Sequence, residues 1–277
     1  MVFLMPNAKP FTKLPPIIDA YCSLGKWRRP VNADLYGHDA ASLLDEMDQK
    51  GITEAVVHHS IARLSHPIDG NEQAMRMIEG QRRLRACWAL LSKASREYKS
   101  FEKYVDGALR RGVRCFAVFP RFVVSPAGLD TSVREYVRAG TFRILEERRL
   151  PLFVDFGVNA AGGQDETDWE ALRFLLAAHP ELPVILSEFR LRGGSRLFPG
   201  VMDDHPNLHL ETSGLWDYMS IEQVVEHWGA ERLIFGTRSP WHSVGLALGM
   251  VTMCNLPAVQ RAMILGGNIQ RLMEAAR

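Results

Sequence analysis

Short apolar or β-branched runs alternate along this chain with amphipathic stretches, and each kind predicts its own element. The runs at 15–23 (PPIIDAYCS), 54–60 (EAVVHHS), 83–91 (RLRACWALL) and 112–120 (GVRCFAVFP) predict strands, and four more follow at 150–157, 182–189, 207–214 and 232–239. Between them the pattern turns helical. At 39–51, Leu43, Leu44 and Met47 fall at i, i+1 and i+4 and Gly51 supplies the stop. The same reasoning predicts helices near 71–80, 97–111, 131–149, 168–179, 220–229 and 257–275.

Strand, helix, strand, repeated eight times at intervals of about 25 to 40 residues, predicts a parallel sheet with crossover helices. The competing arrangement is an open doubly wound sheet, but no GxGxxG follows the first strand and the fourth-to-fifth segment shows no linker composition. The expected fold is α/β, a single (β/α)8 TIM barrel over 1–277, with 1–15 as an N-terminal arm and 16–277 as the barrel. In such a barrel the C-terminal strand ends and the loops after them form the working face.

That rule sends Asp19, Tyr21 and Ser23 to the face from strand one, His58 and His59 from two, and Pro120 and Arg121 from four. Asp155 comes from five, Glu188 from six, Thr212 and Ser213 from seven, and Arg238 from eight. Alternation predicts one direction for Asp19, Tyr21 and Ser23 and the other for Cys22. Asp155 and Glu188 follow apolar strand cores, where a carboxylate is costly unless paired, and Arg238 is the expected partner of both.

Charge narrows the partners. Lys and Arg number 33 against 32 Asp and Glu, a net charge of +1 with the signs interspersed, which removes the electrostatic case for nucleic acid or an anionic membrane. The four cysteines, Cys22, Cys87, Cys115 and Cys254, contain no CxxC pair and are expected to be reduced core thiols of a cytoplasmic protein. The first fifteen residues lack a basic start and are broken by Pro6, Pro10 and Pro15, so an arm lying on the fold is expected there rather than a signal peptide. The least polar run, 244–254, is about half of the roughly 20 residues that cross a bilayer.

The segments IIDAYCSLG, GVRCFAVFP, LPLFVDFG, LPVILSEF, HPNLHLETSG, ERLIFGTRSPW and ILGGNIQRL stand in an order and spacing that resemble the amidohydrolase superfamily. Within it, the likeness is to the amidohydrolase-related branch of metal-dependent TIM-barrel hydrolases and decarboxylases, from about Ile17 to the C-terminus. The resemblance implies an HxH at the end of strand one, a His after strands five and six and an Asp after strand eight, holding one or two divalent cations that activate water or polarise the substrate. This chain has Tyr21 and Ser23 at the HxH places, Asp155 and Glu188 at the next two, and Arg238 at the last. The expectation is therefore a degenerate, metal-free site in which a guanidinium replaces the metal's charge. A zinc-type site rebuilt from Asp155, Glu188 and a nearby histidine is the less favoured alternative.

Asp155, Glu188 and Arg238 are the candidate catalytic residues, and Tyr21, Ser23, His58, Arg121, Trp241 and His242 the candidate substrate contacts. With them, the resemblance implies a hydrolase-like enzyme, or a lyase or decarboxylase, acting on a small molecule, carboxylate-bearing molecules being the suggested kind. The alternative is an inactive family member kept for ligand binding or assembly, and a homo-oligomer is left open.

Overall fold

The computed structural model describes residues 16–27, 37–120, 132–156, 167–187 and 196–277. The strands are β1 (Ile18–Leu24), β2 (Glu54–His59), β3 (Leu84–Ala89), β4 (Cys115–Val118), β5 (Leu152–Asp155), β6 (Val184–Ser187), β7 (Leu208–Glu211) and β8 (Leu233–Ile234). Each pairs in parallel with the next, in the order β1 to β8. Backbone bonds from Ala20 N to Phe235 O (2.9 Å), Arg238 N to Tyr21 O (2.8 Å) and Ser23 N to Ser239 O (2.9 Å) join β1 to the segment after β8 and close the ring. The chain is a TIM barrel, as its strand and helix pattern predicts.

The helices are α1 (Ala40–Lys50), α2 (Ser60–Leu64), α3 (Pro67–Met77), α4 (Phe101–Arg110), α5 (Val133–Arg138), α6 (Arg143–Glu147), α7 (Trp169–Ala178), α8 (Phe198–Asp204), α9 (Ser220–Trp228), α10 (Val244–Thr252), α11 (Ala258–Ala262) and α12 (Asn268–Glu274). α1 starts on a reciprocal cap between Asp39 and Ser42, buries Leu43 and Met47, and stops at Gly51 with φ 70°. Such left-handed backbone is what glycine tolerates best. The single helix expected over 131–149 is two, parted at Gly140 with φ 68°. The apolar run at 244–254 forms α10, capped by Ser243. Among the described residues no helix is long and apolar enough to cross a membrane.

Two apolar layers follow from the alternation of strand side chains. Leu152, Val154, Val184, Leu186, Leu208 and Leu210 face the helices in the larger cluster. Ile18, Ala20, Val56, Phe153, Ile185 and Ile234 fill the barrel interior, joined by Ile269, Leu272 and Met273 from α12. Each of these side chains larger than alanine contributes about 1.5–3 kcal/mol by leaving water. Cys22, Cys87 and Cys115 are buried thiols, whereas Cys254 is only half-buried, against the expectation that all four are core residues.

One irregularity aims the site. Asp19 pairs with Ala55 and Cys22 with Val57, three residues of β1 spanning the distance of two in β2. This bulge in β1 breaks the alternation expected for Asp19, Tyr21 and Ser23. Tyr21 joins the interior, while Asp19 lies opposite Ala55 of the outer cluster. There Asp19 is buried and accepts hydrogen bonds from Thr237 N (2.9 Å), Thr237 Oγ1 (2.5 Å) and Tyr21 N (3.2 Å). Asp19 is thus a pin across the β1–β8 seam rather than a residue of the working face.

Candidate functional site

The interior column of β5 runs from Phe153 to Asp155, the last residue of the strand, and brings a buried carboxylate to the C-terminal mouth. Its Oδ2 accepts the phenol hydrogen of Tyr21 at 2.6 Å. The ring of Tyr21 is stacked on Phe153 at 5.2 Å and tilted against His58 at 5.0 Å, which fixes where the hydroxyl points. The same oxygen accepts from Arg63 Nη1 at 2.5 Å and has Arg238 Nη2 at 3.8 Å.

Each cation is delivered by a local device. α2 begins immediately after β2, with the His59 side chain accepting from Ile61 N, and this turn swings Arg63 over the mouth and across the ring of Phe119 at 5.3 Å. Arg238 holds left-handed backbone, φ 54°, with its N–H donating to Tyr21 O and its carbonyl accepting from Trp241 N at 2.9 Å. A non-glycine residue in that region is strained, and such strain persists where the surroundings over-determine it. Next to it, Ser239 Oγ lies 2.9 Å from both His38 Nε2 and Glu46 Oε2, tying the turn to α1.

Burial alone pushes the Asp155 carboxyl up, but Arg63, then Arg238 and the Tyr21 hydrogen bond outweigh it and hold the group down at about 2. Burial, followed by the nearby Asp155 charge, raises the Tyr21 phenol well above its ordinary value, so it stays a donor. Burial lowers His58 to about 3, leaving a neutral imidazole, and brings Arg238 down to about 10, still a cation at neutral pH.

The other candidates are placed as follows. Ser23 Oγ donates to Ser239 O and accepts from Trp27 Nε1, both at 3.3 Å. Trp241 packs edge-on against Trp27 at 5.0 Å, and His242 against Trp216 at 4.9 Å. Arg121 and Glu188 lie outside the described residues, and so does the proposed bridge from Arg238 to Glu188.

Two residues escaped the sequence reading. Arg63 stands one helical turn beyond β2, and an Arg so close to a strand end is itself a signal for the working face. Glu211 ends β7 fully buried, with Oε1 accepting from Ser213 N and Oε2 beside Ser213 Oγ, both at 2.6 Å. A Cβ on Gly236 would strike it at 2.4 Å, so that position just after β8 needs glycine. Burial drives the Glu211 carboxyl up to about 8, with the Asp19 and Asp155 charges adding to the rise.

These residues do not fit a divalent cation. The buried Asp155 carboxylate is engaged by a phenol and a guanidinium, a second guanidinium stands 3.8 Å away, and like charges at such range repel strongly in a dry site. Among the described residues no three His, Cys, Asp or Glu side chains converge as ligands.

A closed ring of eight parallel strands with polar strand ends turned into its mouth places the chain among the TIM barrels. A family model described as amidohydrolase matches residues 29–274, and the chain belongs to that family. Among solved structures it is similar to an uncharacterized TIM-barrel protein from Bordetella bronchiseptica, with 17% identity, TM-score 0.66, and 94% of this chain and 99% of that one covered. It is also similar to 5-carboxyvanillate decarboxylase from Sphingomonas paucimobilis, with 14% identity, TM-score 0.67 and coverage of 94% and 99%. A dihydroxybenzoic acid decarboxylase from Polaromonas sp. JS666, solved with bound manganese, shares 14% identity at TM-score 0.70 over 94% and 97%. At these identities the likeness shows the fold. Among curated proteins none matches the chain.

Proposed function

We propose that this amidohydrolase-family barrel is a metal-independent enzyme, a hydrolase or a lyase of the decarboxylase kind, acting on a small carboxylate-bearing molecule at the mouth around Asp155. The observation that carries the reading is the pair of guanidinium groups, Arg63 and Arg238, set around one buried carboxylate where the family resemblance implies a metal. Planar guanidinium forks suit carboxylates, and a dry site strengthens the attraction. The decarboxylases among its structural neighbours are named for carboxylated aromatic acids, which agrees with an anionic substrate.

In this reading Arg63 and Arg238 hold the substrate's anion and Asp155 orients both cations. Asp155 and His58 are too weakly basic to activate water near neutral pH, which favours bond cleavage assisted by fixed charge over metal-style hydrolysis. Tyr21 supplies a proton-donating hydroxyl beside the anion.

A second reading, a non-catalytic ligand-binding barrel, draws on the bond between Tyr21 and Asp155, which engages Asp155 Oδ2 without a substrate. Turnover of a panel of aromatic and aliphatic carboxylic acids, with and without chelator, separates the readings. Chelator-resistant turnover supports the first, and carboxylate binding without turnover the second. Near one equivalent of zinc or manganese per purified chain, with activity lost on chelation and restored by the metal, overturns metal independence.

A further inference from the structure

We infer that the barrel mouth contains a hydrogen-bonding subsite, formed by Asp155 Oδ1, Ser187 Oγ and His58 Nδ1, that takes a neutral donor-bearing group of the ligand, a hydroxyl or an amide N–H. The inference rests on the carboxylate reading above and adds a second requirement to it. Asp155, Ser187 and His58 are 1%, 2% and 3% exposed. Among the described residues each of these three atoms lacks a hydrogen-bond partner. Buried polar atoms in folded proteins are nearly always bonded, so unbonded ones at the mouth of a barrel mark where something else binds.

The placement follows from the strands. Asp155 and Ser187 are the last residues of β5 and β6 and pair in register, so their side chains leave the sheet on the same face. Two residues earlier on each strand, Phe153 and Ile185 lie in the barrel interior, and Val56 does so two residues before His58. All three polar side chains therefore face the interior at the mouth. The Tyr21 ring stands between two of them, its hydroxyl on Asp155 and its ring against His58.

The chemistry of the ligand group follows from the three atoms. An ionised carboxylate oxygen only accepts, so the group must donate to Oδ1. Arg63 and Arg238 flank the other oxygen and disfavour an ammonium ion, which leaves a neutral donor. The neutral imidazole of His58 and the hydroxyl of Ser187 can each complete the set by donating or accepting.

Succinate and D,L-malate differ by one hydroxyl and test this by calorimetric titration of the whole protein. The expected result is malate binding about tenfold tighter than succinate, with the preference lost in Ser187→Ala, a size typical of one buried hydrogen bond. In the ligand-free protein Ser187→Ala removes an unpartnered hydroxyl and is expected to raise Tm by about 2 °C. Equal affinity for the two acids overturns the subsite while leaving the carboxylate reading intact. Binding of neither acid overturns both. A Ser187→Ala protein that melts lower or fails to fold shows the hydroxyl to be a structural partner and also overturns the subsite.

Discussion

Tyr21 at the bulge of β1 donates its phenol hydrogen to Asp155 Oδ2 over 2.6 Å, tying together two strands that are not neighbours in the sheet. The acceptor is anionic and the setting dry, conditions under which a hydrogen bond contributes about 1.5–3 kcal/mol. Tyr21→Phe keeps the ring between Phe153 and His58 and removes only the hydroxyl. It is expected to lower stability by about 2 kcal/mol in urea unfolding at pH 7. A change too small to measure would mean that the phenol and the carboxylate do not depend on each other.

Arg63 controls the acid limit of the fold. Asp155 has a carboxyl held at about 2 when folded, against 3.8 for an ordinary Asp. A folded value below the unfolded one stabilises the protein fully above about pH 4, and that contribution disappears as the pH falls toward 2, about 2 kcal/mol in all. Arg63→Ala removes the nearest cation from a buried carboxylate and should cost about 3 kcal/mol at pH 7. It should also move the acid limb of the stability curve to higher pH, as read by urea midpoints from pH 2 to 7. An acid limb identical to that of the parent protein would show that Arg63 does not set the charge of Asp155.

Much of this arrangement is legible in the residues because a parallel barrel buries both strand faces and writes its strands as short apolar runs. Asp155 and Arg238 could be placed at the mouth for that reason. Asp19 could not, because a bulge moves every later side chain by one face and leaves no mark in the alternation. α10 was invisible for a related reason: it is apolar on nearly every side, so no 3.6-residue period separates it from an ordinary apolar run. Arg63 sits on a five-residue helix, too short to produce a period at all.

Because Asp19 pins the seam and does not face the mouth, its loss should separate stability from binding. Asp19→Ala orphans the buried Thr237 N–H and hydroxyl as well as a Tyr21 N–H bond, and should destabilise by about 2–4 kcal/mol. Succinate affinity should stay within about twofold of the parent protein wherever the variant is folded. Arg238→Ala is expected to lose about 2–5 kcal/mol of stability and the affinity together. Equal losses of affinity in the two variants would place Asp19 in the binding site.

Glu211 sets the opposite limb. Its carboxyl stands at about 8 when folded, against 4.5 for an ordinary Glu, because burial and then the Asp19 and Asp155 charges penalise the anion. A folded value above the unfolded one means that the protonated acid favours the native state. Its contribution is complete below about pH 4.5 and is lost as the pH rises through about 8. Glu211→Gln imitates the protonated acid, keeps an acceptor for Ser213 N and a polar partner for Ser213 Oγ, and carries no proton to lose. Relative to this variant, the parent protein should lose about 3–4 kcal/mol between pH 5 and pH 8 in urea unfolding. Taking the difference between the two proteins at each pH cancels the contributions of His58 and His209, whose burial lowers their pKa and favours the fold as the pH rises. Two stability curves that run parallel across this range would show that Glu211 is ionised in the folded protein, and the mouth would then hold one negative charge more than the structure implies.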